Sequence, residues 1–400
     1  MSDEDSPVQR VPYSAVRRIA TLPLIAAGMI LGICGIDLIL PALPDLPAAL
    51  GSTPAAAQLV VAAYVAGTAI GLISFGELAS KVDPRRLLSG SLALFGIVTL
   101  LAGQSQSMEW LIGMRFVQGM VSAAPAVFAP GFIRAMYEDH QAIRAIGFLG
   151  SINSIAPALA PIIGGWLSLQ FGWRSSFWVT GALAIALALG LSVSLQVLPR
   201  IRSKHHAGGY GALLVNPTFI RYCLGHALSL AGIVAVVFGA PVVIIGSLGG
   251  EMKHFMYMQI CGVSSFVVAA NFASTLAIRF GVERMLYIGS GILVAGLVAL
   301  LVWALAGAGD AIWIVPPWAV VNIGFGLRAP TGFFCAVKAA QGDDARGAAL
   351  VMLIFLGTTS AATAAIAPII TLGLVPVAAT ATAFALLALA VMAALPALKD

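Results

Sequence analysis

Apolar residues run through this chain in long blocks separated by short polar stretches. The blocks lie at roughly 20–43, 55–79, 87–105, 110–134, 144–169, 174–198, 218–247, 254–279, 285–307, 312–336, 347–371 and 374–396. A helix needs about 20 mostly apolar residues to cross the hydrocarbon of a bilayer, so the pattern predicts twelve transmembrane helices. A transmembrane barrel would instead show alternating segments of ~10 residues. The first twenty residues are polar, and the apolar run from Thr21 to Leu43 is too long for the core of a signal peptide; it reads as an uncleaved first span. The longest polar connection, PRIRSKHHAGGYGALLVNP at 199–217, reads as a cytoplasmic linker between an N-terminal half (1–198) and a C-terminal half (218–400) of six spans each. His205 and His206 in that linker read as solvated side chains rather than metal ligands.

Composition narrows the class. Of 400 residues, 60% are apolar and 9% are charged, against ~25% charged in a soluble domain, and the mean hydropathy is +1.00. That leaves no room for a sizeable water-soluble domain, and it excludes a soluble enzyme, a secreted module and a nucleic-acid binder. The net charge of +5 is informative by position. With the N-terminus in the cytoplasm, 17 of the 21 Lys and Arg fall in inner loops and tails, Arg174 and Lys253 fall outside, and Arg115 and Arg328 lie within spans. Inner loops carry the excess of basic residues in membrane proteins, so the expectation is a multi-pass protein of a bacterial inner membrane with both termini cytoplasmic. The four cysteines (Cys34, Cys223, Cys261, Cys335) sit in apolar stretches without a CxxC pair and read as buried thiols.

The halves echo each other. FLGS at 148–151 returns as FLGT at 355–358, and APII at 160–163 returns at 367–370, both at an offset of 207. LASKVDPRRLL (78–88) likewise faces LAIRFGVERML (276–286). Parallel six-span repeats place a substrate cavity at their interface, near the midplane.

Few residues within the spans can carry chemistry. Of the 16 acids, only Asp37 sits well inside a span. An ionisable group in hydrocarbon is costly unless paired or hydrated, so it is a functional candidate, here for proton loading and release; the alternative is an acid that pairs a neighbouring Arg to fix packing. Counting ~1.5 Å per residue, Asp37 and Arg115 both lie about 8–9 Å below the outer surface, so a pair is allowed. Gln118, one turn on from Arg115, shares its face. Arg328 sits deeper, at roughly 24 Å. Either it faces an aqueous cavity and binds an anionic group of the substrate, or it snorkels to the inner mouth. Tyr64, which follows Gln58 in span 2, is a further cavity candidate, as are Asn153, His226 and Asn322. These amides and the His, with Gln259 and Asn271, read alternatively as interhelical hydrogen bonds. Gly28/Gly32 and Gly67/Gly71 have the spacing of close helix contacts.

IDLILPALPDL (36–46), GELASKVDPRRLL (76–88), RFVQG (115–119), APALAPIIGGW (156–166) and FGWRSSFW (171–178) resemble the major facilitator superfamily. Within it, the chain is similar to twelve-span drug:proton antiporters of the bicyclomycin and chloramphenicol resistance type. The resemblance implies an all-α bundle of twelve helices in two six-helix halves. It also implies a coupling role for the acid of span 1 and the Arg of span 4, and a gating loop at Gly76, Ser80, Asp83, Arg85 and Arg86. The span 5 motif would be Pro157, Pro161, Gly164 and Gly165. The sequence departs from the family where an acid is usual and Ser80 stands, and where a Gly is usual and Asp83 stands. The acid latches the inner side in the family, so a weak latch is expected, with Asp83 as a substitute. In span 5 the family's Gly-Pro is Ala160-Pro161.

No GxxxxGK[ST], HExxH or GxSxG string is present, and no filter string or repeated charge ring points to a channel. The expectation is a proton-coupled secondary transporter that is not an enzyme, needs no metal or cofactor beyond the proton gradient, and works as a monomer. It would be an exporter of drugs or metabolites by alternating access; the alternative is an uptake symporter for a small organic anion.

Overall fold

A computed structural model of the chain describes residues 15–193, 195–201, 209–307, 309–366 and 368–398. Their elements are α-helices joined by short turns, four of them 3-10. The first eight helices are α1 (Ala15–Asp37), α2 (Leu46–Ala49), α3 (Pro54–Leu78), α4 (Pro84–Gly103), α5 (Met108–Ser122), α6 (Ala124–Met136), α7 (Asp139–Phe171) and α8 (Ser175–Val193). The rest are α9 (Gly209–Val215), α10 (Pro217–Gly246), α11 (Met252–Phe280), α12 (Val282–Leu305), α13 (Val315–Lys338), α14 (Asp344–Ile366) and α15 (Leu374–Ala394). Among the described residues, eleven helical stretches are long and apolar enough to cross a membrane. The fifth expected span falls in α7, one helix of 33 residues.

Capping side chains set several of the helix starts. Asp83 accepts from the Arg85 amide ahead of Pro84 and opens α4. Ser107 does the same for α5 through the Trp110 amide, and Asn216 for α10 through the amides of Thr218 and Phe219. Such oxygens satisfy N–H groups that have no partner within the helix. In the matching segment of the second repeat, the junction between α11 and α12 is Gly281 at φ +87°, a conformation that costs glycine little.

Three expected spans end or break differently, each at proline. The first helix stops at Asp37 and passes into a 3-10 turn, Leu40–Asp45, that holds Pro41 and Pro44. Asp37 is therefore the last residue of α1 rather than a mid-helix acid. The fourth span divides into α5 and α6 at Ala123, just before Pro125. A proline there has no N–H to donate and crowds the carbonyl four residues back. The eleventh ends at Ile366, two residues ahead of Pro368, a residue that cannot continue a helix as a donor.

The described chain forms two compact units. One holds the described parts of Met1–Gly71, Leu78–Ala142 and Pro161–Arg202. Within it, α3 and α5 meet backbone to backbone: a Cβ at Gly67 or Gly71 would strike carbonyls of α5, and one at Gly119 would strike that of Tyr64. Gly164 of α7 lies in the same way against the Leu38 carbonyl, and Gly165 faces Pro41, so the span 5 motif packs on the far end of α1.

The other unit holds the described parts of Leu72–Glu77, Ile143–Ala160 and Ser203–Asp400. Its core joins Trp318, Val321 and Phe325 of α13 to Leu293, Leu297 and Leu300 of α12 and to residues of α10 and α15. Small residues again permit the approach, with Gly324 of α13 on the backbone of Gly289 and Leu293.

Candidate functional site

Arg115 on α5 is fully buried. Its Nε donates to the Val60 carbonyl at 3.2 Å, and its Nη1 donates to the Gly35 carbonyl at 2.5 Å and to Gln118 Oε1 at 2.8 Å. The guanidinium lies 4.4 Å from the centroid of the Tyr64 ring, a geometry in which the ring face attracts the cation. Tyr64, itself buried, donates its hydroxyl to the Gly32 carbonyl at 2.7 Å. Gln118 continues the network by donating Nε2 to Thr99 Oγ1 at 2.7 Å. Beside these groups lies a small, partly open cleft of about 10 Å³, room for one water, lined by Cys34, Gly35, Thr99, Gln118, Phe177 and Thr180 among others.

The structure joins Arg115, Gln118 and Tyr64, but it does not pair Arg115 with Asp37. Among the described residues Asp37 makes no hydrogen bond or ion pair, and it is half-buried at the end of α1. The direction of the side chain around the helix decides the contact. Residues i and i+2 of a helix lie about 200° apart around its axis. With the Gly35 side of α1 turned to Arg115, Asp37 faces away.

Arg328 fits neither of its expected roles. It is buried in protein: Nη1 donates to the Gly225 carbonyl of α10 at 2.8 Å, Nη2 approaches Met392 Sδ of α15 at 3.5 Å, and Cβ faces Gly289 of α12. This guanidinium is enclosed by three helices, with Nη1 and Nη2 turned to two of them and Nε buried without a hydrogen-bond partner among the described residues. His226 is also buried, stacked at 4.5 Å and 11° on Phe355. Asn322 donates to the Trp318 carbonyl of its own helix at 2.9 Å, a local bond rather than an interhelical one. Asn271 reaches α7 through Ser151 Oγ at 3.3 Å. Asn153, Pro157 and Pro161 belong to α7, but their side chains lie outside the described residues, as do those of Gln58, His205 and His206.

The loop after α3 departs from expectation. Asp83 does not reach another helix; its carboxylate turns back onto Arg85, 2.6 Å from Nη2. The Arg85 bond holds the Asp83 carboxyl below the usual carboxylate range. Arg86 is exposed, and Gly76 faces Ala349 of α14. The contact with another helix comes from Glu77, the residue after Gly76. Glu77 holds Arg346 of α14 through both carboxylate oxygens, from Nε at 2.8 Å and from Nη2 at 2.7 Å. Asp343 takes the remaining side of that guanidinium at 3.0 Å. Paired donors meeting a carboxylate make a strong, directional bond. Glu77 is absent from the expected gating residues; the signal for it in the sequence is its place inside the GELASKVDPRRLL string.

The Major Facilitator Superfamily model matches residues 25–365. The chain belongs to this superfamily. It is 26% identical over 310 residues to a chloramphenicol resistance protein of Pseudomonas aeruginosa, which covers 76% of this chain and 73% of that protein. It is 27% identical over 305 residues to the multidrug resistance protein MdtL of Shewanella sp. (strain ANA-3), covering 73% of each. Solved superfamily structures share the fold. The proton:xylose symporter XylE aligns at a TM-score of 0.74 with 14% identity, over 95% of this chain and 96% of that one. A bacterial homologue of the iron transporter ferroportin, in an outward-facing state, aligns at 0.76 with 13% identity, over 93% and 98%. The superfamily member described here is thus a multi-span membrane transporter of a small-molecule substrate, and the proteins it resembles in sequence include drug-resistance proteins.

Proposed function

We propose that this transporter is a proton-coupled exporter of drug-like small molecules that works by alternating access in a bacterial inner membrane, with both termini in the cytoplasm. The observation that carries the proposal is Asp37: an acid in the first membrane span, at the end of α1, without an ionic partner among the described residues. A carboxyl so placed is free to exchange a proton without first breaking a salt bridge. The Arg115–Gln118–Tyr64 network holds α1 at the Gly35 carbonyl, two residues before Asp37. The likeness to the chloramphenicol resistance protein and to MdtL supports export of drugs. Uptake of an organic anion drew its support from an Arg328 facing a cavity, and the enclosure of that side chain removes the support.

The test uses inverted vesicles with an imposed proton gradient and chloramphenicol as the probe. The wild type should accumulate it only with the gradient. Asp37→Asn should still bind and exchange the probe but not accumulate it. Gradient-driven accumulation by the Asn variant equal to wild type would return Asp37 to a packing role.

A further inference from the structure

The segment joining α8 to α10 carries the short helix α9, and its Tyr210 is seated on the Glu77–Arg346 pair. The Tyr210 hydroxyl donates to the Ile73 carbonyl in the last turn of α3, at 2.9 Å. Its ring centroid lies 6.0 Å from the Arg346 guanidinium carbon. Gly76 makes the seat: a Cβ there would collide with the Tyr210 hydroxyl and would crowd Ala349 of α14. The other end of α9 is fastened too, since Asn216 donates Nδ2 to the Ala339 carbonyl just beyond α13 at 3.3 Å. Burial first, and Glu77 second, push the Tyr210 phenol above its ordinary range, so the hydroxyl remains a donor under all working conditions.

Each of these contacts has a role in the geometry around Arg346. Glu77 and Asp343 saturate the edge of its guanidinium with carboxylates. The tyrosine ring stands at the outer limit of a cation–ring contact with it, 6.0 Å away. The hydroxyl then ties that ring to the backbone of α3, one turn before Glu77. Opening the ion pair by separating α3 from α14 therefore requires the Tyr210–Ile73 bond to break or α9 to move with α3.

We propose that Tyr210 is a positioning residue of the transport cycle, through which the linker helix α9 braces the Glu77–Arg346 pair and sets how readily the adjoining ends of α3 and α14 separate. This rests on the alternating-access reading, in which those ends, placed in the cytoplasm by the basic-residue count, must part once per cycle. The signal lies in the linker rather than in the gating loop, and it depends on a tyrosine hydroxyl that glycine at position 76 leaves room for.

Hydrogen–deuterium exchange on the purified full chain tests it without a ligand. Tyr210→Phe keeps the ring and removes only the bond to Ile73. It should speed amide exchange in 73–78 and 344–350 about fivefold, the factor equivalent to one hydrogen bond, while residues 90–100 of α4 exchange as in wild type. Glu77→Gln serves as the reference for an opened pair and should speed the same two segments further. In vesicles, chloramphenicol transport by Tyr210→Phe should change in kcat with KM held, as expected for a residue that acts on a conformational step. Exchange unchanged in Tyr210→Phe but faster in Glu77→Gln would overturn the role of Tyr210. Unchanged exchange in both would overturn the brace altogether, and so would faster exchange with kcat unaltered. If wild-type vesicles show no gradient-driven transport, the exporter reading fails by itself, and the exchange comparison still reports whether Tyr210 holds the two ends together.

Discussion

Arg115 stands over the ring of Tyr64, and both side chains are fixed by carbonyls of one helix, Arg115 at Gly35 and Tyr64 at Gly32, one turn apart on α1. The pair therefore fastens α5 and α3 to the same face of α1. A lysine at 115 offers one ammonium and cannot reproduce three directed bonds and a planar stack. Arg115→Lys should lower stability by ~1.5–3 kcal/mol, the range for a hydrogen bond to a charged group, and should abolish transport. Tyr64→Phe keeps the ring and should cost ~1 kcal/mol. Thermal unfolding of the purified variants in detergent, with transport in vesicles, checks both; equal losses for the two would contradict the ranking.

The backbone contact of α3 with α5 makes a second comparison. A Cβ at Gly67 would meet the backbone of Phe116 and Met120, whereas Gly90 has open space around it. Overpacking costs ~1–3 kcal/mol, while Gly→Ala in an exposed helix gains up to ~1 kcal/mol. Gly67→Ala should therefore unfold at lower temperature than wild type and Gly90→Ala at the same temperature or higher. A neutral Gly67→Ala would mean that the two helices can separate without loss.

Arg328 yields a prediction about binding. Its donors are turned to Gly225 and Met392, so Arg328→Lys should leave the affinity for chloramphenicol within about twofold while lowering stability by ~1–3 kcal/mol, the cost of an ill-satisfied buried donor. Equilibrium binding on purified protein decides it. A large loss of affinity in a variant that unfolds normally would place Arg328 at the substrate after all.

The pH response of the loop after α3 follows from Asp83. Its carboxyl is held below the usual range, first by the Arg85 side chain, and it caps α4. A group whose folded value is lowered stabilises the fold fully above its unfolded value of ~3.9. That contribution is lost as pH falls through the lower folded value. Protection at the first turn of α4, the exchange rate relative to the intrinsic rate at the same pH, should therefore hold down to pH ~4 and fall only below it. Asp83→Ala should make the turn exchange faster at every pH, since loss of a cap costs ~1 kcal/mol. An unchanged rate in the Ala variant would show that Pro84 alone holds the start of the helix.

Hydropathy was enough to read the helical bundle, because about 20 apolar residues in a row have few other uses. Direction around a helix axis was harder to read. The pairing of Asp37 with Arg115 rested on depth, and a shift of two residues on α1 was enough to replace the carboxylate by the Gly35 carbonyl. Arg328 shows the same limit: its enclosure depends on Gly225 and Gly289 making room on neighbouring helices, which a count of residues along one span does not register. The prolines were visible at 125 and 368, yet an apolar count does not register them, so the ends of α5 and α14 were missed. Glu77 could have been found by asking which acid remains in the loop string once Ser80 has taken the usual position. Tyr210 could not, since its partner Ile73 is 137 residues away in sequence and offers only a backbone oxygen.

On α3, Gly67 and Gly71 lie four residues apart on one face, and carbonyls of α5 press on both. One turn is about 5.4 Å of helix, so the two helices touch along a line rather than at a point. A line of backbone contact leaves no slack for one helix to roll on the other. Tyr64 and Arg115, carried by α3 and α5, are thereby held in register by main-chain atoms as well as by their own bonds.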